Sequence, residues 1–193
     1  MEDKERIKLT NVIDAKKFFN STDEQTELIQ FTMSSLYEAS TYEQASKTAR
    51  IIGNYMGTSD LTITESSAGI GANTNAFAEE FKEVNAVELD ITTMDCLMTN
   101  MRTMDRSNVN LILGNYLERF DKLSQDVVFI DPPWMGMQYK NKRQITLEYK
   151  LNKSYVLMHE LAKKQHNVLL IPTCLRIGIH NLISLRGRQP IAI

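Results

Sequence analysis

Five short apolar runs, separated by turns and helix-length segments, constrain this chain most. They are Leu61-Thr62-Ile63-Thr64, Val84 to Leu89, Val109 to Leu113, Val127 to Ile130 and Val168 to Ile171. Brief apolar runs bounded by polar residues are how strands buried on both faces look. Between them the apolar spacing is helical. One helix begins near Asn73, with Ala76, Phe77 and Phe81 on its apolar face, and a second spans Thr92 to Met104. Met94, Leu97, Met98 and Met101 lie on one side of the second and read as flexible core filler. A third helix is predicted over Tyr149 to Lys164. Strands alternating with helices argue an α/β fold with a parallel, doubly wound sheet.

Ahead of this pattern lies a different kind of sequence. Ser21-Thr22-Asp23-Glu24 has the polar cap and acidic first turn of a helix start. Two helices are predicted from there to about Met56, one with Leu28, Phe31, Leu36 and Tyr37, the other with Ala45, Thr48, Ala49 and Ile52. Gly53 and Gly57 are candidate stops. The expected organisation is a helical extension or cap over residues 1–57, followed by one catalytic-type domain over 58–193. At 193 residues the chain is long enough for one sizeable core. A net charge of -2 advertises no global basic field, so contact with nucleic acid must be local. Two distant cysteines, Cys96 and Cys174, argue against a disulfide framework or a metal site and for a reducing, intracellular compartment, nuclear or cytoplasmic. The charged start is no secretory signal, and no apolar run is long enough to cross a bilayer, so no membrane partner is expected.

The chemistry gathers where strands end. After the first strand comes Glu65-Ser66-Ser67-Ala68-Gly69-Ile70-Gly71, with Asn73 placed to cap the following helix. Gly69 and Gly71 let the backbone turn tightly and approach a ligand. A third glycine at dinucleotide-motif spacing is missing, since that position is Thr74, which argues against NAD and for a looser nucleoside pocket. Glu65 is placed to accept from an ammonium or amide. Glu88 ends the second strand 17 residues past Gly71, where an acidic residue accepts from ribose hydroxyls, and it is preferred to Asp90 for that role. Leu89 follows it. The third strand ends in Gly114-Asn115-Tyr116, whose amide suits the edge of an adenine.

The fourth strand runs into Asp131-Pro132-Pro133-Trp134. Two prolines stop the strand and stiffen the exit, leaving a carboxylate, a carbonyl and an indole at the sheet edge where α/β proteins bind ligands. A ring that stacks and oxygens that accept suit a flat heterocycle carrying an amino group. Lys140, Lys142 and Arg143 follow, with charges suited to phosphates.

In this order the strand tips resemble the class I S-adenosylmethionine-dependent methyltransferases, of Rossmann-like fold with helices on both faces. Within that class the chain resembles the trimethylguanosine synthase family, the RNA cap guanine-N2 methyltransferases. The resemblance runs from about residue 60 to 187, through Gly69-x-Gly71-x-Asn73-Thr74-x-x-Phe77-Ala78, Asp126 to Trp134 with Gly136 and Tyr139, and Asn167 to Pro172. It implies S-adenosylmethionine as cofactor, held by Glu65, Ala68, Gly69, Gly71 and Thr74 at the first tip. Glu88 and Leu89, Asn115 and Tyr116, and Asp131 would serve at the next three. It implies a catalytic turn of Asp131, Pro132 and Trp134, with Trp134 stacked on 7-methylguanine. Tyr139, Lys140, Lys142 and Arg143 would meet the rest of the substrate. The expected partner is capped RNA or a 7-methylguanosine nucleotide, met by a monomer. Three departures stand out, the first being that the sixth and seventh strands usual in the class are not visible after the fifth, so the C-terminal strands are expected to be missing. The family usually carries serine at the Asp131 position, and its Ser-x-Thr-Pro-Glu segment is represented at best by Ser40-Thr41-Tyr42-Glu43. Asp131 keeps open an amino-methyltransferase acting on ribosomal RNA guanine or on adenine. The shortened sheet and Asn115 keep open a decayed nucleotide-binding module.

Overall fold

In the computed structural model, residues 15–131 are described in full, together with the backbone of strands at 6–7, 148–151, 154–157, 169–172 and 183–184. The elements are β1 (Arg6–Ile7), α1 (Lys16–Phe19), α2 (Asp23–Thr26), β2 (Phe31–Thr32), α3 (Ser35–Glu38) and α4 (Tyr42–Met56). They continue with β3 (Thr62–Glu65), α5 (Ala72–Glu80), β4 (Glu83–Glu88), α6 (Ile91–Thr103), β5 (Val109–Leu113) and β6 (Val127–Ile130). The last are β7 (Glu148–Leu151), β8 (Ser154–Leu157), β9 (Leu169–Pro172) and β10 (Ile183–Ser184).

One six-stranded sheet in the order β10-β9-β6-β3-β4-β5 organises the chain. Five strands are parallel, and β10 joins the edge antiparallel to β9, with Ile183 opposite Leu170. From β3 the chain builds outward through β4 to β5, then returns to the other side of β3 with β6 and β9. The direction of strand order therefore reverses between β3 and β6, and that reversal opens a crevice at the strands' carboxyl ends. This is a Rossmann-like arrangement. Contrary to the expectation that the sheet ends at its fifth strand, β10 adds one two-residue strand. A run that short carries too little apolar periodicity to be read in sequence.

Paired residues of neighbouring strands share a face. Ile63, Val84, Val127 and Phe129 meet Ala49 and Ile52 of α4 and Phe77 of α5 in one buried cluster. The Phe77 and Phe129 rings meet edge to face at 5.0 Å. A second cluster brings Leu97 and Met101 of α6 against Phe18, Phe19, Phe31 and Ile70. On the opposite face Thr64, Val87, Val128 and Ile130 are buried as well, so both faces of the sheet are covered. The N-terminal segment thus contributes large aromatics to the core beneath the glycine turn.

Two predicted helices take other forms. The stretch around Leu28, Phe31, Leu36 and Tyr37 is broken. Phe31–Thr32 pairs with β1, α3 is a single turn, and Leu28 and Tyr37 are exposed. The physical reason lies in Thr32 and Ser35, whose hydroxyls each accept the other's backbone N–H at 3.2 and 3.0 Å. Such local bonds offer the backbone an alternative to the helix. The stretch predicted helical from Tyr149 begins as an antiparallel pair, β7 with β8, Leu151 opposite Ser154. Glu148-Tyr149-Lys150-Leu151 alternates polar and apolar, and Tyr155 and Val156 favour strands, a period-two signal that outweighs the helical spacing. The remainder of that prediction, residues 158–164, lies outside the described residues.

The starts and stops are locally encoded. Thr22 and Thr41 each form a reciprocal capping box, with Gln25 and Gln44. Thr41, from the Ser40-Thr41-Tyr42-Glu43 stretch, thereby serves as the cap of α4. Gly57 closes that helix in the left-handed conformation, while Gly53 lies inside it.

Candidate cofactor and active site

The crevice between β3 and β6 collects most of the residues singled out at the strand tips. After Glu65 the chain passes through Ala68, whose N–H donates to the Val87 carbonyl at 2.8 Å, and then through two glycines with positive φ, +57° at Gly69 and +95° at Gly71. The two glycines do different work. A Cβ on Gly69 meets nothing within 4 Å, so that position faces open space. A Cβ on Gly71 would lie 2.6 Å from Leu97 Cδ1 and 2.7 Å from Met101 Cε. Gly71 therefore lets α5 start against α6, and Gly69 leaves the turn accessible. Gly71→Ala is expected to cost roughly 2–4 kcal/mol in a urea melt, combining left-handed strain with core overlap. Stability within about 0.5 kcal/mol of the parent would show that neither matters.

Glu65 is buried at the base of this turn, 1% exposed. Its carboxylate accepts from Asn73 Nδ2 at 3.2 Å and from the Thr74 hydroxyl at 2.5 Å. The expected Asn73 cap is not formed. Gly71 occupies the cap position without a side-chain bond, and Asn73 sits in the first turn of α5 with its amide directed to Glu65. Because α5 already starts at Ala72, Asn73 lies inside the first turn rather than at the cap, and its Nδ2 donates to Glu65. Thr74 is fully buried and reaches the site through Glu65. Burial pushes the Glu65 carboxyl up from 4.5 to about 8; the Thr74 and Asn73 bonds oppose the rise, while the charges of Asp131 and Glu88 add to it.

Glu88 closes one side. Its Oε2 accepts from the Gly69 N–H at 2.9 Å and its Oε1 from the Asp90 N–H at 2.8 Å. Asp90 instead caps α6 by accepting the Thr93 N–H at 3.0 Å, which separates the two acidic residues by role. Leu89 is 70% exposed and Ile91 is exposed beside it, giving apolar surface next to the Glu88 carboxylate. Ile91 was not singled out in the sequence; the signal was an apolar residue opening a helix directly after an acidic strand end. Asp131 stands on the other side, tied in by Ser67 Oγ, which donates to the Asp131 carbonyl at 2.8 Å.

Asn115 and Tyr116 are partly committed elsewhere. Asn115 Oδ1 accepts the Leu117 N–H at 3.1 Å, capping a short 3-10 turn, and Tyr116 is buried with its hydroxyl against Gln125. Pro132, Trp134, Tyr139, Lys140, Lys142 and Arg143 lie outside the described residues.

The sequence profile of a family described as RNA cap guanine-N2 methyltransferase matches residues 61–175, more than half of the chain. The chain belongs to the RNA cap guanine-N2 methyltransferase family. Its fold and family are those of the class I methyltransferases, and its cofactor is S-adenosylmethionine. An uncharacterised protein of Acanthamoeba polyphaga mimivirus is 40% identical over 114 residues, which make up 58% of this chain and 44% of the viral protein. The chain thus spans under half the length of that relative. Among solved structures, a Pyrococcus horikoshii protein assigned as an RNA methyltransferase aligns at TM-score 0.42 and 16% identity, over 68% of this chain and 58% of its own. A Porphyromonas gingivalis protein assigned as a methyltransferase aligns at TM-score 0.45 and 16% identity, over 51% of this chain and 25% of its own.

The described residues fit that cofactor. Gly69 presents open space, Glu88 retains lone pairs for hydroxyls, and Leu89 offers an apolar surface for a base. The Glu88 and Asp131 carboxylates beside the turn suit a ligand carrying positive charge. Among the described residues no helix is long and apolar enough to cross a membrane.

Proposed function

We propose that this chain methylates the exocyclic N2 of 7-methylguanosine in an RNA cap, acting as a monomer on capped RNA or a 7-methylguanosine nucleotide. The observation that carries the reading is the family match over 61–175, which spans both the glycine turn and the Asp131-Pro132-Pro133-Trp134 exit. When bound, S-adenosylmethionine supplies an electrophilic methyl on a sulfonium. The chain's part is placement. Guanine N2 is a weak nucleophile whose lone pair is delocalised into the ring, so holding it in line is the main task. A carboxylate at Asp131 and the carbonyl of Pro132 favour positive charge developing on that nitrogen. Trp134 stacks on the base, and the cationic charge of 7-methylguanine strengthens the stack by on the order of 1–2 kcal/mol once desolvated. Lys140, Lys142 and Arg143 meet cap phosphates.

Trp134→Ala is the discriminating variant. Calorimetry with a 7-methylguanosine cap analogue should show at least roughly tenfold weaker binding, while S-adenosylhomocysteine affinity stays within about twofold. Equal loss of both ligands would remove the indole from the substrate side.

Asp131 favours a second reading, methyl transfer to ribosomal RNA guanine or to adenine, because the cap family usually carries serine at this position. Labelled S-adenosylmethionine offered with cap analogue, structured RNA and adenine-containing DNA separates the two. Label in the cap analogue alone supports the first reading, and label only in the other substrates supports the second.

A further inference from the structure

Beyond the residues that would touch either substrate, one fully buried amide links the glycine turn to the N-terminal segment. We propose that Asn100 is a positioning residue for cofactor binding. It locks the Ile70–Gly71 peptide of the turn and ties it to Gln30, so that cofactor affinity and the packing of the segment around Gln30 are coupled. This rests on the reading that S-adenosylmethionine sits at the glycine turn.

Asn100 lies three residues before the end of α6 and is 0% exposed. An asparagine inside a helix is a poor choice for the helix alone, and a buried amide is costly unless its bonds are made. Here three of its four bonding positions are filled by backbone. Oδ1 accepts the Gln30 N–H at 2.7 Å, Nδ2 donates to the Gln30 carbonyl at 2.9 Å, and Nδ2 also donates to the Ile70 carbonyl at 2.9 Å. The first two form a ring with one residue, as a neighbouring strand would. The third reaches into the turn between Gly69 and Gly71.

That third bond has a defined mechanical consequence. The peptide unit is planar, so fixing the Ile70 carbonyl also fixes the Gly71 N–H, which donates to the Ala68 carbonyl at 3.0 Å. Ile70 stands between two glycines, Gly69 and Gly71, with φ of +57° and +95°. Glycine carries the greatest conformational freedom, which a ligand must otherwise quench on binding. Asn100 removes that freedom beforehand. The other half of the link runs through Gln30, whose neighbours Ile29 and Phe31 are buried in the same cluster as Ile70 and Leu97. The turn and the segment therefore share both a core and a polar clamp. Whatever orders one side favours the other, and the coupling must be reciprocal.

The test uses the whole chain and S-adenosylhomocysteine as the probe. In wild type, adding the probe should slow hydrogen exchange at the Gln30 amide at least about fivefold, although Gln30 belongs to no strand tip. Asn100→Leu keeps approximate volume and removes all three bonds. At temperatures where the variant is folded, its probe dissociation constant should rise roughly tenfold or more, and probe-dependent protection at Gln30 should vanish. A variant that melts earlier yet binds the probe like wild type would reduce Asn100 to a core-satisfying residue and overturn the proposal. So would unchanged Gln30 exchange in wild type carrying the probe, a measurement that stands even where Asn100→Leu fails to fold. Failure of wild type to bind the probe at all is a separate result, because it removes the cofactor reading itself.

Discussion

Glu65→Gln should flatten the pH dependence of stability between about pH 4.5 and pH 8 and leave the variant more stable than its parent at the upper end. The argument starts from a carboxyl 1% exposed, bonded to two neutral donors and shut away from bulk solvent. Asn73 and Thr74 favour the ionised form, but burial outweighs them, and the nearby charges of Asp131 and Glu88 are both negative. In the fold the carboxyl keeps its proton to about pH 8; in the unfolded chain it ionises around 4.5. Between those values the native state binds more protons than the unfolded one, so stability falls as pH rises. Above about pH 8 both states are ionised and the fall stops. At about 1.36 kcal/mol per pH unit the whole loss has a ceiling of roughly 5 kcal/mol, and water entering the site reduces it. Glutamine keeps the shape, offers Asn73 an oxygen and does not titrate. Urea melts at pH 5, 6.5 and 8 decide the matter: parallel profiles for the two proteins would show that Glu65 is already ionised at neutral pH.

Why the sequence disclosed the strand tips but not their wiring follows from range. Strand β3, the glycines and the start of α5 are encoded within about ten residues, and Gly69, Gly71 and Glu65 could be placed by spacing alone. Of the two acidic residues at the end of β4, Asp90 caps α6 and Glu88 faces the turn. The contacts that shape the site are long-range and carry no local signature. Asn100 meets Ile70 across 30 residues, and Ser67 meets Asp131 across 64. Asn73 shows the converse error. Its position before an apolar helix face reads as a cap, yet a buried carboxylate eight residues earlier takes its amide. The broken helix around Phe31 failed for a related reason, since paired hydroxyls at Thr32 and Ser35 compete with helical bonding more strongly than the apolar spacing suggests. The hairpin at β7 and β8 was lost because Tyr155, Met158 and Ala162 also satisfy helical spacing, and short apolar stretches are ambiguous between the two periods.

Glu88→Ala should weaken S-adenosylhomocysteine binding by on the order of 100-fold while leaving a folded protein. Each carboxylate oxygen carries two lone pairs. Oε2 uses one for the Gly69 N–H and Oε1 one for the Asp90 N–H, which leaves acceptor capacity on both oxygens for a pair of ribose hydroxyls. The backbone bonds hold the side chain in a single orientation, so a ligand meets a carboxylate already aimed. A hydrogen bond to a charged group contributes about 1.5–3 kcal/mol, and two of them account for a loss of this size even where water recovers part of it. The variant also frees the Gly69 N–H, so the turn would loosen at its exposed glycine. That second effect separates Glu88→Ala from Glu88→Gln. Glutamine restores the acceptor for one backbone N–H but sets an amide against the other, and its affinity should fall between those of the alanine variant and the parent. Calorimetry on the three proteins, with melting temperatures taken alongside, gives the order directly. Unchanged affinity in Glu88→Ala would place the ribose elsewhere and take the exposed Leu89 surface out of the cofactor site with it.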